Sequence, residues 1–258
     1  MKSWLSIALA GLALGGCSNG NSPSAPETPV TTESPETAAP LKTEQRGAGL
    51  DVAAVKALAG DARLAKATSL DLSQNPIGDD GAGALAASAH TGALNQVWLG
   101  GTGLGDAGLV ALSKSGALRP KMLFLGSNGF AEAGLSALLQ SPVAGGLNLL
   151  RLSMTAIGDG GARALAAHAP AGLTDLEVAM CGLTDAGVRA LFESAALSKL
   201  ETLDIGGNEV GDETLALLAD AGRLPALKTL TFLGRALDPA LAAKLKAARP
   251  GLTLTGVR

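Results

Sequence analysis

An α/β solenoid of about seven strand–helix repeats is the fold class that the sequence predicts. Three observations predict it. Seven segments recur in register with a period of about 26 to 27 residues. They share the frame L-x-x-L-x-L-x-x-(N/T/C)-x-(L/I/V/F), from which Arg235 departs in the last segment, and its alternation suits a short strand. Each then runs into a stretch rich in Gly, Ala and Leu with helical spacing. A unit of this size cannot bury its apolar face alone, so neighbours must stack to close a continuous core.

The segments are "ATSLDLSQNPIGDDG" from Ala67, "LNQVWLGGTGLGDAG" from Leu94, "PKMLFLGSNGFAEAG" from Pro120, "LNLLRLSMTAIGDGG" from Leu147, "LTDLEVAMCGLTDAG" from Leu173, "LETLDIGGNEVGDET" from Leu200 and "LKTLTFLGRALDPAL" from Leu227. Alternation turns Leu70 and Leu72 inward in the first, and Val97 and Leu99, Leu123 and Leu125, Leu150 and Leu152, Leu176 and Val178, Leu203 and Ile205, and Leu230 and Phe232 in the others. A turn column follows: Asn75, Thr102, Asn128, Thr155, Cys181, Asn208 and Arg235. Asn or Thr there can satisfy turn backbone groups from inside the stack, and Cys181 fits as a small buried thiol. Asp79, Asp106, Glu132, Asp159, Asp185 and Asp212 mark the helix starts, where they suit the orphan N–H groups and the dipole. Gly81, Gly108, Gly134, Gly161 and Gly187 are expected where helix packs closely on strand. Leu85, Leu112, Leu138, Leu165, Leu191, Leu218 and Leu245 supply the inward helical residue. A helical cap over residues 49–66 precedes the repeats at 67–249, and a cap strand at 250–258 follows a helix over Asp238–Ala248.

This frame resembles the leucine-rich repeat, over about residues 50 to 258. Repeat length and helical second half resemble the ribonuclease-inhibitor type. The resemblance implies a right-handed horseshoe with a parallel sheet on its concave side and helices on its convex side. "GAGALAAS" at Gly81 and "GARALAAH" at Gly161 resemble the GALA variant found in plant-pathogen effectors. That variant carries an F-box ahead of its repeats, and a different kind of sequence stands there in this chain.

Residues 1–16 have a short positive start at Lys2 and an apolar run from Trp4 to Leu14. That run is too short to span a bilayer, which needs roughly 20 residues. "LGGC" at Leu14–Cys17 resembles the lipobox of bacterial lipoproteins. The resemblance implies cleavage before Cys17, acylation of that cysteine, and outer-membrane sorting because Ser18 follows it. Several acyl chains anchor stably where one would be marginal. Residues 17–48 are otherwise rich in Pro, Ser, Thr and Glu, and cannot bury enough apolar surface to fold. They read as a tether.

The net charge is −3, which argues against a nucleic-acid partner, since that would want a basic face. His90 and His168 fall in separate repeats with no nucleophile beside them. There is no H-E-x-x-H and no phosphate loop, because the glycines follow the repeat period. The expectation is a monomer that is not an enzyme, with no catalytic residues, cofactor or metal.

The residues that alternate with the inward set should line the concave surface. Its central column is Asp71, Trp98, Phe124, Arg151, Glu177, Asp204 and Thr231. One flank reads Ser69, Gln96, Met122, Leu149, Asp175, Thr202 and Thr229. Just past the strand come Gln74, Gly101, Ser127, Met154, Met180, Gly207 and Gly234. The chain has no Tyr, two Trp and four Phe, yet Trp98 and Phe124 both fall here. So does every methionine after the first residue. Neighbouring parallel strands lie about 4.8 Å apart, so Trp98 and Phe124 should touch. Trp98, Phe124, Met122, Leu149, Arg151, Met154, Glu177 and Met180 form the candidate surface for a protein or peptide partner, because exposed apolar patches with aromatic, Met and Arg side chains mark interfaces.

Overall fold

The computed structural model describes residues 41–232 and 237–256. Cys17, the N-terminal apolar run and most of the expected tether lie outside them, as do Gly234 and Arg235. Among the described residues no helix is long and apolar enough to cross a membrane.

Each repeat contributes one three-residue strand: β1 (Ser69–Asp71), β2 (Gln96–Trp98), β3 (Met122–Phe124), β4 (Leu149–Arg151), β5 (Asp175–Glu177), β6 (Thr202–Asp204) and β7 (Thr229–Thr231). β8 (Thr253–Thr255) ends the series. All eight pair in parallel, in chain order. The register is strict. Leu70, Val97, Leu123, Leu150, Leu176, Leu203, Leu230 and Leu254 are successive partners. Strands this short are stable only because the inward residues from Leu70 to Leu230 are removed from water, and burying one stabilises by about 1.5–3 kcal/mol.

Helices cover the other side: α1 (Val52–Gly60), α2 (Gly78–Ala87), α3 (Asp106–Ser113), α4 (Glu132–Leu139), α5 (Gly158–His168), α6 (Asp185–Phe192), α7 (Asp212–Ala216) and α8 (Pro239–Ala248). Leu85, Leu112, Leu138, Leu165, Leu191, Leu218 and Leu245 are buried between helix and sheet. α1 opens on Asp51, whose carboxylate accepts the Ala54 N–H, and it buries Val55 and Ala59 against the first repeat. α8 opens on Asp238, which accepts from Ala240 and Leu241 ahead of Pro239 at the first helical turn.

Two corrections concern the helix starts. The acidic column lies in the first helical turns as expected, but four of its carboxylates accept N–H groups of the next repeat. Asp79 accepts the Gly105 N–H, Asp106 those of Ala131 and Gly134, Asp159 those of Thr184 and Gly187, and Asp185 that of Gly211. Each of these carboxylates thus serves the helix of the following repeat. The glycines are not helix-on-strand contacts either. A Cβ on Gly108, Gly134 or Gly187 would lie 2.5, 2.7 or 2.3 Å from the preceding repeat's carboxylate oxygen. A Cβ on Gly81 or Gly161 would instead strike the side chain of Ile77 or Ile157.

The turn column locks the repeats from inside. Asn128 Oδ1 accepts the N–H groups of Thr102 and Leu104, and its Nδ2 donates to the carbonyls of Leu99 and Leu125. Asn208 repeats the pattern on Cys181, Leu183, Val178 and Ile205. Cys181 is buried, and burial pushes its thiol up.

The expected tether also ends earlier than residue 48. The backbone N–H of Asp71 donates to the Thr43 carbonyl, and those of Gln45 and Gly47 donate to the carbonyls of Asp71 and Ser73. Residues 43–47 therefore cover the open edge of β1, whose ladder groups would otherwise be unpaired.

Candidate functional site

The third residue of each strand points away from the core, and strict register sets these residues side by side. Asp71 faces Trp98, Trp98 faces Phe124, Phe124 faces Arg151, Arg151 faces Glu177 and Glu177 faces Asp204. The Trp98 and Phe124 rings stack with centroids 4.8 Å apart and planes 11° from parallel. The Arg151 guanidinium continues the stack 5.3 Å from the Phe124 centroid. Its Nε reaches Glu177 Oε2 at 3.2 Å. Ser153 donates to the other Glu177 oxygen at 2.6 Å. Aromatic stacking of this kind contributes about 0.5–1.5 kcal/mol, and a half-exposed ion pair less than about 1 kcal/mol.

Beyond Glu177 the face is acidic. Asp204 is half-buried, and its Oδ1 accepts the Gly206 N–H. Burial pushes its carboxyl up, and the neighbouring Glu177 charge adds to the effect. Asp175, Glu177 and Asp204, with Thr202, Thr231, Leu149 and Arg151, line a recess of about 130 Å³.

The position just past each strand has a backbone signature. Gln74, Gly101, Ser127, Met154, Met180 and Gly207 all have φ between 54° and 68°. This left-handed residue turns the chain so that the next one, Asn75 to Asn208 in the column above, can point into the stack. Glycine fits it without steric strain, whereas other residues lose roughly 1–2 kcal/mol there. Met154 and Met180 occupy it in adjacent repeats. The two residues are 53% and 61% exposed, and they are the exposed large apolar residues of the described chain. Gly207 leaves room beside them, since a Cβ there would lie 2.6 Å from Met180 Cγ.

Four segments, residues 68–86, 147–166, 173–192 and 196–219, match the family model described as Leucine Rich repeat. The fold is a leucine-rich-repeat solenoid. Leucine-rich repeats generally mediate protein–protein contacts and are typically non-enzymatic scaffolds. No curated protein matches the chain. Among solved structures, it is similar to an internalin from Listeria monocytogenes at 20% identity, with a TM-score of 0.42. The match covers 76% of this chain, which spans 63% of that one.

On the concave face of the leucine-rich repeats, the residues singled out from sequence fall into two groups. Trp98, Phe124, Arg151 and Glu177 form one continuous chain of contacts. Phe124, Arg151, Met154 and Glu177 also line a shallow groove of about 220 Å³. Met122 and Leu149 are half-buried register partners beside this chain. Met180 stands past β5, one repeat on from Met154. The groove also holds Arg46, Ser73 and Gln74. Arg46 donates to Gln74 Oε1 at 3.2 Å. Sequence reasoning missed Arg46 because its neighbours have the composition of a tether. His90 lies in the turn after α2 and His168 ends α5. Among the described residues no group of three or more His, Cys, Asp or Glu could hold a metal ion.

Proposed function

We propose that this protein is a membrane-anchored binding module. Its leucine-rich repeats engage a protein or peptide through the concave face, and acylated Cys17 and the tether hold it to the bacterial envelope, at the outer membrane, facing the periplasm or the outside. The reading requires no cofactor and no catalysis.

One observation carries the concave assignment. Met154 and Met180 are solvent-exposed apolar side chains at backbone positions that disfavour them. The stack of Trp98, Phe124, Arg151 and Glu177 is mutually satisfied, so by itself it would suit a spacer protein with no ligand. The methionines have no comparable set of partners, since the one bond to them is a weak one from Ser127 Oγ to Met154 Sδ at 3.8 Å. They occupy a left-handed position that glycine fills in two sister repeats and Gln74 and Ser127 fill in two others, and they are the ones that expose large apolar surface there. Exposed apolar surface on a folded domain points to use there, and methionine is the adaptable residue of binding surfaces.

Affinity capture from the native envelope tests the reading. Trp98→Ala together with Phe124→Ala should abolish retention of the partner while the circular dichroism spectrum and melting curve stay those of a folded solenoid. Undiminished capture would leave the spacer role. Incorporation of labelled palmitate, lost on Cys17→Ala, tests the anchor separately.

A further inference from the structure

We infer that the concave face selects an extended segment that lays an apolar side chain on the Trp98–Phe124–Met154 platform and, four residues away, a lysine or arginine in the recess between Glu177 and Asp204. This rests on the reading that the concave face binds a protein or peptide, and it names the chemistry of that partner.

Charge and distance carry it. Three carboxyl side chains, Asp175, Glu177 and Asp204, line the recess against one cation, Arg151. Arg151 is already engaged, with the Phe124 ring on one side and Glu177 on the other. Among the described residues no cation lies within ion-pair distance of Asp175 or Asp204. Asp204 is held half-buried, and burial disfavours its charge. An incoming ammonium or guanidinium would supply the missing counter-charge, with the hydroxyls of Thr202 and Thr231 lining the same recess. About 130 Å³ suits one cationic head and not a bulky ring system.

The platform centres on β3 and the acidic recess between β5 and β6, about two and a half strand spacings away, or about 12 Å. Four residues of extended chain span about 13 Å, and residues i and i+4 of such a chain face the same side. A segment crossing the strands therefore reaches both places at once. The expected tether is a poor occupant. Between Ser18 and Pro40 it carries Glu27, Glu33 and Glu36 and neither lysine nor arginine.

A random twelve-residue peptide library displayed on phage, panned against the full chain in detergent, tests the inference. Enriched clones should carry Lys or Arg four residues from Leu, Ile, Met or Phe. Asp204→Asn keeps an acceptor for the Gly206 N–H and removes the charge, and it should weaken those clones tenfold or more. Trp98→Ala should abolish capture. Capture that depends on Trp98 but shows no basic preference at that spacing, or prefers acidic residues, overturns this inference and leaves concave-face binding standing. Absence of capture, or capture indifferent to Trp98 and Phe124, overturns both. A dimer seen by sedimentation that Trp98→Ala dissolves would give the face to a second copy and overturn the basic-peptide partner.

Discussion

Asp159 Oδ1 lies 3.1 Å from the backbone nitrogen of Gly187, across the boundary between two repeats. The same oxygen accepts the Thr184 N–H at 2.8 Å. The carboxylate of one helix thus caps the start of the next, and the glycine is required because a Cβ there would lie 2.3 Å from that oxygen. Removing a capping carboxylate costs about 1 kcal/mol. We expect Asp159→Ala to lower stability by about that amount. Gly187→Ala should cost about 1–3 kcal/mol through the clash. In the double variant the oxygen is gone and only the Cα of residue 159, at 3.1 Å from such a Cβ, still crowds it, so the two losses should fall short of additive by about 1 kcal/mol. A urea-denaturation cycle of the four proteins measures this. Strict additivity would mean that the glycine answers to something other than the carboxylate.

Asp159 also predicts an acid response. Burial alone would raise its pKa, but the hydrogen bonds from Thr184 and Gly187 outweigh burial and hold the carboxyl below the usual value of 3.8. A carboxyl lowered in the folded state contributes stability above its unfolded pKa and loses it as pH falls through the folded value. The stability difference between the natural chain and Asp159→Asn should therefore be full at pH 7 and shrink below about pH 3.8. Melting temperatures of both proteins across that range check it. A difference independent of pH would assign the effect to shape and not to charge.

Asp204 predicts the opposite sign. Burial first, and then the Glu177 charge, raise its carboxyl above the ordinary aspartate value of 3.8. Its ionised form opposes folding, and that penalty grows as pH rises from the unfolded pKa through the folded one. Asp204→Asn should thus melt higher than the natural chain at pH 7 and equally near pH 3. Calorimetry at the two pH values reads this directly. A variant that melts lower at pH 7 would mean that the charge is already compensated within the fold.

The strand frame was legible because two independent regularities agree. Alternation within a strand and repetition across seven segments both place Leu70, Val97 and Leu123 inward, and the stack of Trp98 on Phe124 follows from their equal offset. The destination of Asp159 was not legible. Its spacing puts it at a helix start, and only the stagger between repeats decides which helix it reaches. Arg46 was hidden by composition, since a Pro-, Glu- and Thr-rich stretch gives no sign that its last residues pair with a strand edge. The positive φ of Met154 and Met180 left a trace that could have been read: Gly101 and Gly207 occupy the same column in sister repeats.

That column yields the sharpest separation of stability from use. Met154 and Met180 sit at φ of 60° and 54°, where a side chain costs roughly 1–2 kcal/mol relative to glycine. Glycine in turn loses about 0.5–1 kcal/mol more chain entropy on folding. Little packing is lost, because both side chains are more than half exposed. Met154→Gly and Met180→Gly should therefore leave stability unchanged or raise it, by up to about 1 kcal/mol. Met154→Gly strips the apolar surface beside Phe124, Met180→Gly strips that of the next repeat, and each should weaken partner retention tenfold or more. Chemical denaturation and capture on one pair of variants measure both effects. Loss of stability without loss of capture would make the methionines structural and return the concave face to the spacer reading.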